Sequence, residues 1–502
     1  MKYERTINQY YSQCDNDHCF FGEDKPREEC GIFAIYGHLN AAEMAYLGLY
    51  ALQHRGQEAT GIATSDGNEI YYHRGMGLVS EVFADQGIFR YLKGQSAIGH
   101  NRYSTTGSNR TTNVQPLLAA DRGGPVAIAH NGNLTNTREL YEHLLEKGAI
   151  FHTTLDSEII IHLAAMSKKE SFEERLIEAL SGVEGAYCLV VQTNDMIIAA
   201  RDPHGFRPLC LGKVGTSWVV ASESCALDII DGEYVRDVEP GEIIIIDKNG
   251  IRSSMPFKKQ KKFFCIFEFV YFSRPDSIIF GDCVDTARRE IGRTLAEEHP
   301  VEADVVISVP DSSNTAAIGY ATASGIPFDI GLIRNHYIGR TFIHPSQVTR
   351  EHSVRIKFNP VRGVIEGKRI IVVEDSIVRG TTFKKITHLL RSAGAREIHL
   401  RVSSPPIISP CFYGMDFPTR EELMASSMSV EEIRQYLGIE SLGYLSLEGL
   451  VKSVPNGENS YCTACFSGEY PTSLPPDVKK SCLESETPNS HIIDALLLRY
   501  EK

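Results

Sequence analysis

The stretch IIVVEDSIVRGTT, residues 370–382, decides how the second half of the chain is built. Ile370 to Val373 run without a polar interruption, the pattern of a strand buried on both faces. Glu374 and Asp375 follow at its carboxyl end, the edge where open α/β sheets bind ligands. Ser376 to Thr381 then offer successive backbone N–H groups, with Gly380 for a tight turn. A helix expected from Thr382 aims its positive end back at them, so the segment is an anion cradle. Two carboxylates beside that cradle suit the hydroxyls of a phosphorylated sugar. A plain structural βα turn is the other reading of a bare strand, loop and helix. No Walker A loop occurs, so ordinary ATP hydrolysis is not indicated.

Working outward, apolar strands at 305–309 and 397–402 flank this one. Helical patterns at 313–324 and 382–393 fall between them, the second closed by Gly394. Apolar strands joined by crossover helices predict a mainly parallel sheet covered on both faces. The segment 420–450 is helical in composition and the tail beyond Pro455 is loop-like. Val309-Pro-Asp311-Ser312-Ser313 follows the first strand and opens a helix. Alone it is a helix N-cap; paired with 370–382 it becomes a second phosphate-facing loop. The basic, glycine-containing segment 333–347, with Arg340, suits a lid that excludes water or a surface hairpin.

Upstream the rhythm differs. Residues 1–29 are polar, without an apolar core, and are read as a leader rather than a secretory signal. From Cys30 short strands are expected at 32–36, 61–64, 97–100, 126–130, 189–192, 196–200, 219–222 and 242–247. Helices are expected at 41–52, 137–147, 158–167 and 172–180. Strands that do not alternate strictly with helices predict layered sheets faced by helices. KKQKK at 258–262 is a boundary or a solvated loop. The parts are thus 1–29, 30–260, 261–455 and a tail 456–502.

Composition narrows the function. The chain has 502 residues, 42% hydrophobic and 23% charged, ordinary for a globular protein. A net charge of −13 argues against a nucleic-acid coat. The longest nearly apolar stretch, 263–272, is interrupted by Glu268 and too short to span a membrane. Twelve cysteines are too dilute for a disulfide scaffold. A reducing, cytoplasmic setting is expected, in which clustered cysteines act as nucleophiles or metal ligands.

Cys30 lies in Glu29-Cys30-Gly31-Ile32-Phe33, where the leader ends. A lone cysteine is more often an inert buried residue. Three further segments stand out: Gln53-His-Arg-Gly-Gln57, Gly99-His-Asn-Arg102-Tyr-Ser-Thr105 and His130-Asn131-Gly132-Asn133. Asn131-Gly132 by itself signals a hairpin turn, and Asp156 a helix N-cap. Cys462-Thr-Ala-Cys465 has metal-ligand spacing, with Cys265 and Cys411 as candidate partners. Iron–sulfur and zinc are open alternatives for such a set.

Residues 370–382 resemble the phosphoribosylpyrophosphate (PRPP) motif of type I phosphoribosyltransferases. The Cys-Gly-Ile, His-Asn-Arg-Tyr and His-Asn-Gly-Asn segments resemble the N-terminal-nucleophile glutamine amidotransferases. Together, from Cys30 to about Gly468, the chain resembles the iron–sulfur type of the glutamine-dependent PRPP amidotransferases. Glu374 stands where relatives often carry aspartate.

The resemblance implies an αββα sandwich followed by a type I transferase domain. It implies that Cys30 becomes the first residue and attacks glutamine, its own α-amino group serving as base. Asn131 and Gly132 would form the oxyanion hole, and Arg102 and Asp156 would hold glutamine. PRPP would lie against Asp311, Ser312, Ser313, Arg340, Glu374, Asp375, Ser376, Arg379, Gly380, Thr381 and Thr382. Mg²⁺ would bind at Ser312, Glu374 and Asp375, and a [4Fe–4S] cluster at Cys265, Cys411, Cys462 and Cys465. The implied reaction turns PRPP, glutamine and water into 5-phosphoribosylamine, glutamate and pyrophosphate, the opening of de novo purine synthesis. Purine nucleotide feedback inhibitors and a homo-oligomer, a tetramer, are also implied. A sugar-phosphate amidotransferase of another type would lack 370–382. A PRPP-sensing regulator would leave Cys30 and its companions without a purpose.

Overall fold

The structure is a computed structural model, described for residues 30–103, 111–335, 357–455, 457 and 460–474. Residues 1–29, residues 104–110 with Ser104 and Thr105, residues 336–356 with Arg340, and the tail beyond 474 lie outside the described residues.

Two antiparallel sheets form the first half. One has seven strands in the order Glu233–Asp237, Cys210–Val214, Ser217–Ala221, Gly31–Tyr36, Ser96–Arg102, Ala59–Ser65, Ile70–Met76. The other has six, in the order Gly250–Ser254, Ile243–Asp247, Met196–Arg201, Gly185–Gln192, Gly124–Leu134, Leu117–Asp121. Strand Gly31–Tyr36 explains why the sheets stack. Ile32 and Ala34 pack with Ala127, Ala129 and Val190 of the other sheet. Phe33 and Ile35 point the opposite way, with Leu49 and Leu52 from the helix Ala41–Ala51 and its end. Because both faces are buried, the strand reads as a continuous apolar run. Gly48 permits that close approach, since a Cβ there would lie 2.3 Å from the Phe33 ring. Helices Asp156–Met166 and Phe172–Leu180 cover the outer face of the six-stranded sheet through Ile160, Leu176 and Leu180. The Ser171 side chain caps the second of them by accepting from Glu174 N at 3.2 Å. The result is the expected αββα layering.

The second half is built on four parallel strands, in the order Val305–Ser308, Arg369–Glu374, Glu397–Val402, Ser441–Tyr444. Val306, Ile371 and Val373 face helices Val284–Glu298 and Asn314–Ser324. Val305, Ile307, Ile370 and Val372 face helices Thr381–Ser392 and Val430–Leu437. The sheet is therefore covered on both sides, as the apolar strands required.

Two expectations need correction. The segment 420–450 is not wholly helical: helix Val430–Leu437 ends at Gly438, with φ 69°, and Ser441–Tyr444 is the edge strand. Its serine and glycine carry little strand propensity, and pairing with Glu397–Val402 makes it a strand. The described tail is not a plain loop either. Tyr461–Cys462 pairs in parallel with Phe264–Cys265, and a short helix Ala464–Ser467 follows.

Candidate active site

Cys30 is buried immediately before strand Gly31–Tyr36, and its Sγ lies 3.5 Å from the Tyr103 carbonyl oxygen. Gly31 stands opposite Asn101 in the sheet. One residue earlier, His100 Nε2 meets the His130 carbonyl of the second sheet at 3.0 Å. This contact ties the strand beside the cysteine to the one carrying Asn131. Burial drives the His100 pKa down to about 3, so its ring is neutral.

Asn131 and Gly132 form no hairpin turn. Both lie inside strand Gly124–Leu134, opposite Cys188 and Tyr187. Asn131 is 1% exposed, and its Nδ2 donates to no atom among the described residues. A buried amide donor left in that state carries a desolvation penalty, normally avoided unless a ligand supplies the acceptor. Gly132 has φ 144°, and a Cβ on it would meet the Ala186 carbonyl oxygen at 2.1 Å. Only glycine fits there.

Arg102 ends its strand fully buried. Asp156 is not an N-cap: it is the first residue of its helix, and Leu155 precedes it without a side-chain cap. Its carboxylate accepts from Leu134 N at 3.0 Å and meets His130 Nδ1 at 3.1 Å. Burial opposes charge on both groups, but their mutual attraction outweighs it. The His130 pKa is raised and that of Asp156 lowered.

In the second half, Ser308 and Val373 are neighbours across the parallel pair, so the loops beyond both strands share one edge. Ser312 Oγ donates to Asp375 at 2.6 Å and Ser313 Oγ to Glu374 at 3.4 Å. Ser376 Oγ donates to the other Asp375 oxygen at 2.6 Å. Glu374, Asp375, Ser313 and Ser376 are buried, and Asp311 pairs with Arg334 at 3.0 Å. Gly380, with φ 75°, caps the helix that begins at Thr381. Arg379 pairs instead with Glu422 at 2.8 Å. The two loops predicted to face one phosphate site are thus side by side. Two carboxylates with hydroxyls between them suit Mg²⁺, which is commonly held by one or two carboxylates plus substrate phosphates.

The four cysteines share one core. Cys265 and Cys462 are partners in the parallel pair. The Cys465 carbonyl accepts from Ile408 N and Ser409 N, and Cys411 Sγ accepts from Tyr413 N at 3.3 Å. All nine cysteines among the described residues are free thiols. Burial, then the neighbouring Cys411, pushes the Cys462 thiol up to about 12; burial and the other three raise Cys465 further. Cys462 and Cys465 thus resist ionisation alone, and with Cys265 and Cys411 packed in the same core they are candidate thiolate donors to a cationic group. Among the described residues, no three His, Cys, Asp or Glu side chains are grouped so as to hold a metal ion.

Comparison with known proteins decides the family. Residues 100–228 match the family described as a glutamine amidotransferase domain, and residues 284–404 match a phosphoribosyl transferase domain. The chain is 50% identical over 473 residues to amidophosphoribosyltransferase 1, chloroplastic, of Arabidopsis thaliana, covering 93% of this chain and 83% of that one. It is 50% identical over 455 residues to the amidophosphoribosyltransferase of Bacillus subtilis, covering 90% and 95%. The chain belongs to the amidophosphoribosyltransferase family. A solved family structure, the glutamine PRPP amidotransferase from B. subtilis complexed with ADP and GMP, superposes with TM-score 0.85 at 49% identity. The match covers 90% of this chain and 99% of that one.

Against that family assignment, one feature of the structure escaped the sequence reading. Glu268, the charge interrupting the apolar stretch 263–272, is fully buried between Arg55 and Arg207. Arg55 reaches it at 2.6 and 3.1 Å and Arg207 at 3.4 Å, while Ser273 Oγ donates at 2.6 Å. Arg55 also pairs with Glu223, which takes His54 at 2.7 Å and Ser277 at 2.6 Å. Two cations and two carboxylates thus join the halves of this family member without contact with water. The break in an apolar run was the available signal; its partners are distant in sequence.

Proposed function

We propose that this enzyme couples glutamine hydrolysis at Cys30 to 5-phosphoribosylamine formation at the 370–382 cradle. The carrying observation is the buried Asn131 amide donor beside Gly132, on a strand tied through His100 to the neighbour of the Cys30 strand. Removal of residues 1–29 frees the Cys30 α-amino group, whose pKa of about 7.7–8.0 suits a base near neutrality. It takes the thiol proton, the thiolate attacks the glutamine amide carbon, and Asn131 Nδ2 and Gly132 N–H receive the oxyanion. The base returns the proton to departing ammonia, and water hydrolyses the thioester to glutamate. Arg102 pairs with the glutamine carboxylate; Asp156 acts on its ammonium directly or by holding His130.

Ammonia then attacks C1 of PRPP as pyrophosphate leaves. Glu374 and Asp375 hold the ribose hydroxyls, residues 376–382 the 5-phosphate, and Asp311 to Ser313 with Arg340 the pyrophosphate. Mg²⁺ at Ser312, Glu374 and Asp375 would neutralise pyrophosphate charge. Protonated ammonia is no nucleophile, so its transfer must avoid bulk water.

Cys265, Cys411, Cys462 and Cys465 are proposed to hold a [4Fe–4S] cluster, which would join the start of the transferase half to its tail. A zinc ion on the same four thiolates, each about 2.3 Å away, is the alternative. We also propose a cytoplasmic homo-oligomer that purine nucleotides inhibit, by analogy with the relative solved with ADP and GMP. No helix among the described residues is long and apolar enough to cross a membrane.

The test is to assay glutamine-dependent and ammonia-dependent synthesis on one protein, with intact mass to read its N-terminus. Cys30→Ser should abolish the first activity and leave the second. Equal loss of both refutes the two-site reading, and full glutamine activity with residues 1–29 attached refutes the N-terminal-amine mechanism. Iron and sulfide analysis after anaerobic purification tests the cluster; stoichiometric zinc without iron rejects it.

A further inference from the structure

Segment 411–414 contributes more than one cysteine to the core, because it lies against the back of strand Gly124–Leu134. Asn133 Nδ2 donates to the Phe412 carbonyl oxygen at 2.9 Å. The Tyr413 carbonyl accepts from Arg207 Nε at 2.9 Å and Nη2 at 2.7 Å, and its ring stacks on Phe206 at 4.2 Å. Gly414, with φ 106°, is so close that a Cβ on it would lie 3.1 Å from Gly132 Cα. Gly132 is also crowded by the Ala186 carbonyl, 2.1 Å from where a Cβ would sit. One peptide of the first half is therefore held between its own sheet and a segment of the second.

We infer that segment 412–414 fixes the Gly132 peptide for oxyanion binding, with Asn133 and Gly414 as positioning residues that touch no reacting atom. The inference rests on the reading of Asn131 and Gly132 as oxyanion donors. An oxyanion hole acts only if its donors need no rearrangement when charge develops, so a displacement of tenths of an ångström matters. Phe412 and Gly414 supply the backing that an isolated strand lacks.

Gly414→Ala pushes a methyl group against Gly132. The kcat of glutamine hydrolysis should fall by about 10- to 100-fold, with KM for glutamine little changed. Affinity for glutamate γ-semialdehyde, whose adduct with Cys30 carries the oxyanion, should fall in step, while affinity for glutamate should not. Asn133→Ala removes the tie without adding volume and should lower kcat up to about tenfold. Ammonia-dependent synthesis, retained in both variants, reports that the chain is folded. Unchanged kcat in both variants overturns the inference. So does an equal fall of both nitrogen-source activities, or a loss of glutamate affinity matching that of the aldehyde. Glutamine hydrolysis by the unsubstituted protein separates the two levels: its absence removes the oxyanion reading and this inference with it. Its presence beside an undiminished Gly414→Ala removes the inference alone.

Discussion

The two halves place their chemistry on different parts of a sheet. In the first, Asn131 and Gly132 are strand residues on an interior strand, Asn131 buried and Gly132 half-buried. In the second, Glu374 ends a strand, and Asp311 to Ser313 and Asp375 to Gly380 lie in loops beyond strand ends. Pairing with Gly185–Gln192 leaves the first site little freedom, while strand Leu117–Asp121 on the other flank reaches only as far as Ile128. A parallel sheet gathers its loops at one edge, so the second site can move around a large phosphorylated substrate. A rigid pocket suits an oxyanion, and a movable one suits a substrate that must be enclosed.

The sharpest way to break this contrast is substitution at Gly132. Gly132→Ala sets a methyl group on the Ala186 carbonyl in a conformation only glycine adopts readily. Glutamine hydrolysis should fall by at least about 10²–10³-fold, as for loss of an oxyanion donor. Ammonia-dependent synthesis should persist. If both activities fall together, the halves are not independent at this site.

Its counterpart is Asp375→Asn, which keeps shape and removes charge. Synthesis from glutamine and from ammonia should drop by the same factor, because both need the transferase cleft. Undiminished turnover at saturating PRPP would remove Asp375 from that role.

A smaller effect is expected where the halves meet. Glu268→Ala leaves Arg55 and Arg207 buried without that carboxylate, and should destabilise the protein by about 3–5 kcal/mol. Chemical denaturation measures it, and a change below about 1 kcal/mol would mean that water enters the joint.

The finest test concerns the His130–Asp156 pair. Asp156 has a lowered folded pKa, so its contribution is present above the ordinary carboxylate value and lost as pH falls through the folded one. His130 has a raised folded pKa, so its contribution is full below about 6.5 and lost as pH rises through the folded value. The pair is strongest between those limits. His130→Asn should therefore cost more stability at pH 6 than at pH 9, and equal costs in urea unfolding would disprove the charged pair.

How much was legible depended on whether pattern or partner made each element. Residues 370–382 announced strand, loop and helix because four aliphatic residues, an acidic pair and Gly380 each constrain the backbone locally. The layers of the first half followed from runs such as 32–36. Ser441–Tyr444 and Tyr461–Cys462 were missed because they are strands only by virtue of Glu397–Val402 and Phe264–Cys265. The turn that Asn131-Gly132 signals locally is not formed, since a glycine at φ 144° equally serves a crowded strand. The Arg55–Glu268–Arg207 joint combines residues far apart in the chain, and Glu268 alone looked anomalous.

The pairing of Phe264–Cys265 with Tyr461–Cys462 has a consequence for synthesis on the ribosome. The first strand emerges with its aromatic neighbours and its thiol, and its partner follows almost two hundred residues later. At about 5–20 residues per second, that is a wait of roughly 10–40 s. For this interval the nascent chain carries an unpaired apolar edge and a reactive sulfur, with Glu268 already made but the surrounding wall incomplete. Newly made protein should therefore be most vulnerable to oxidants and aggregation before about its last forty residues appear, and chaperone occupancy on stalled chains should peak there.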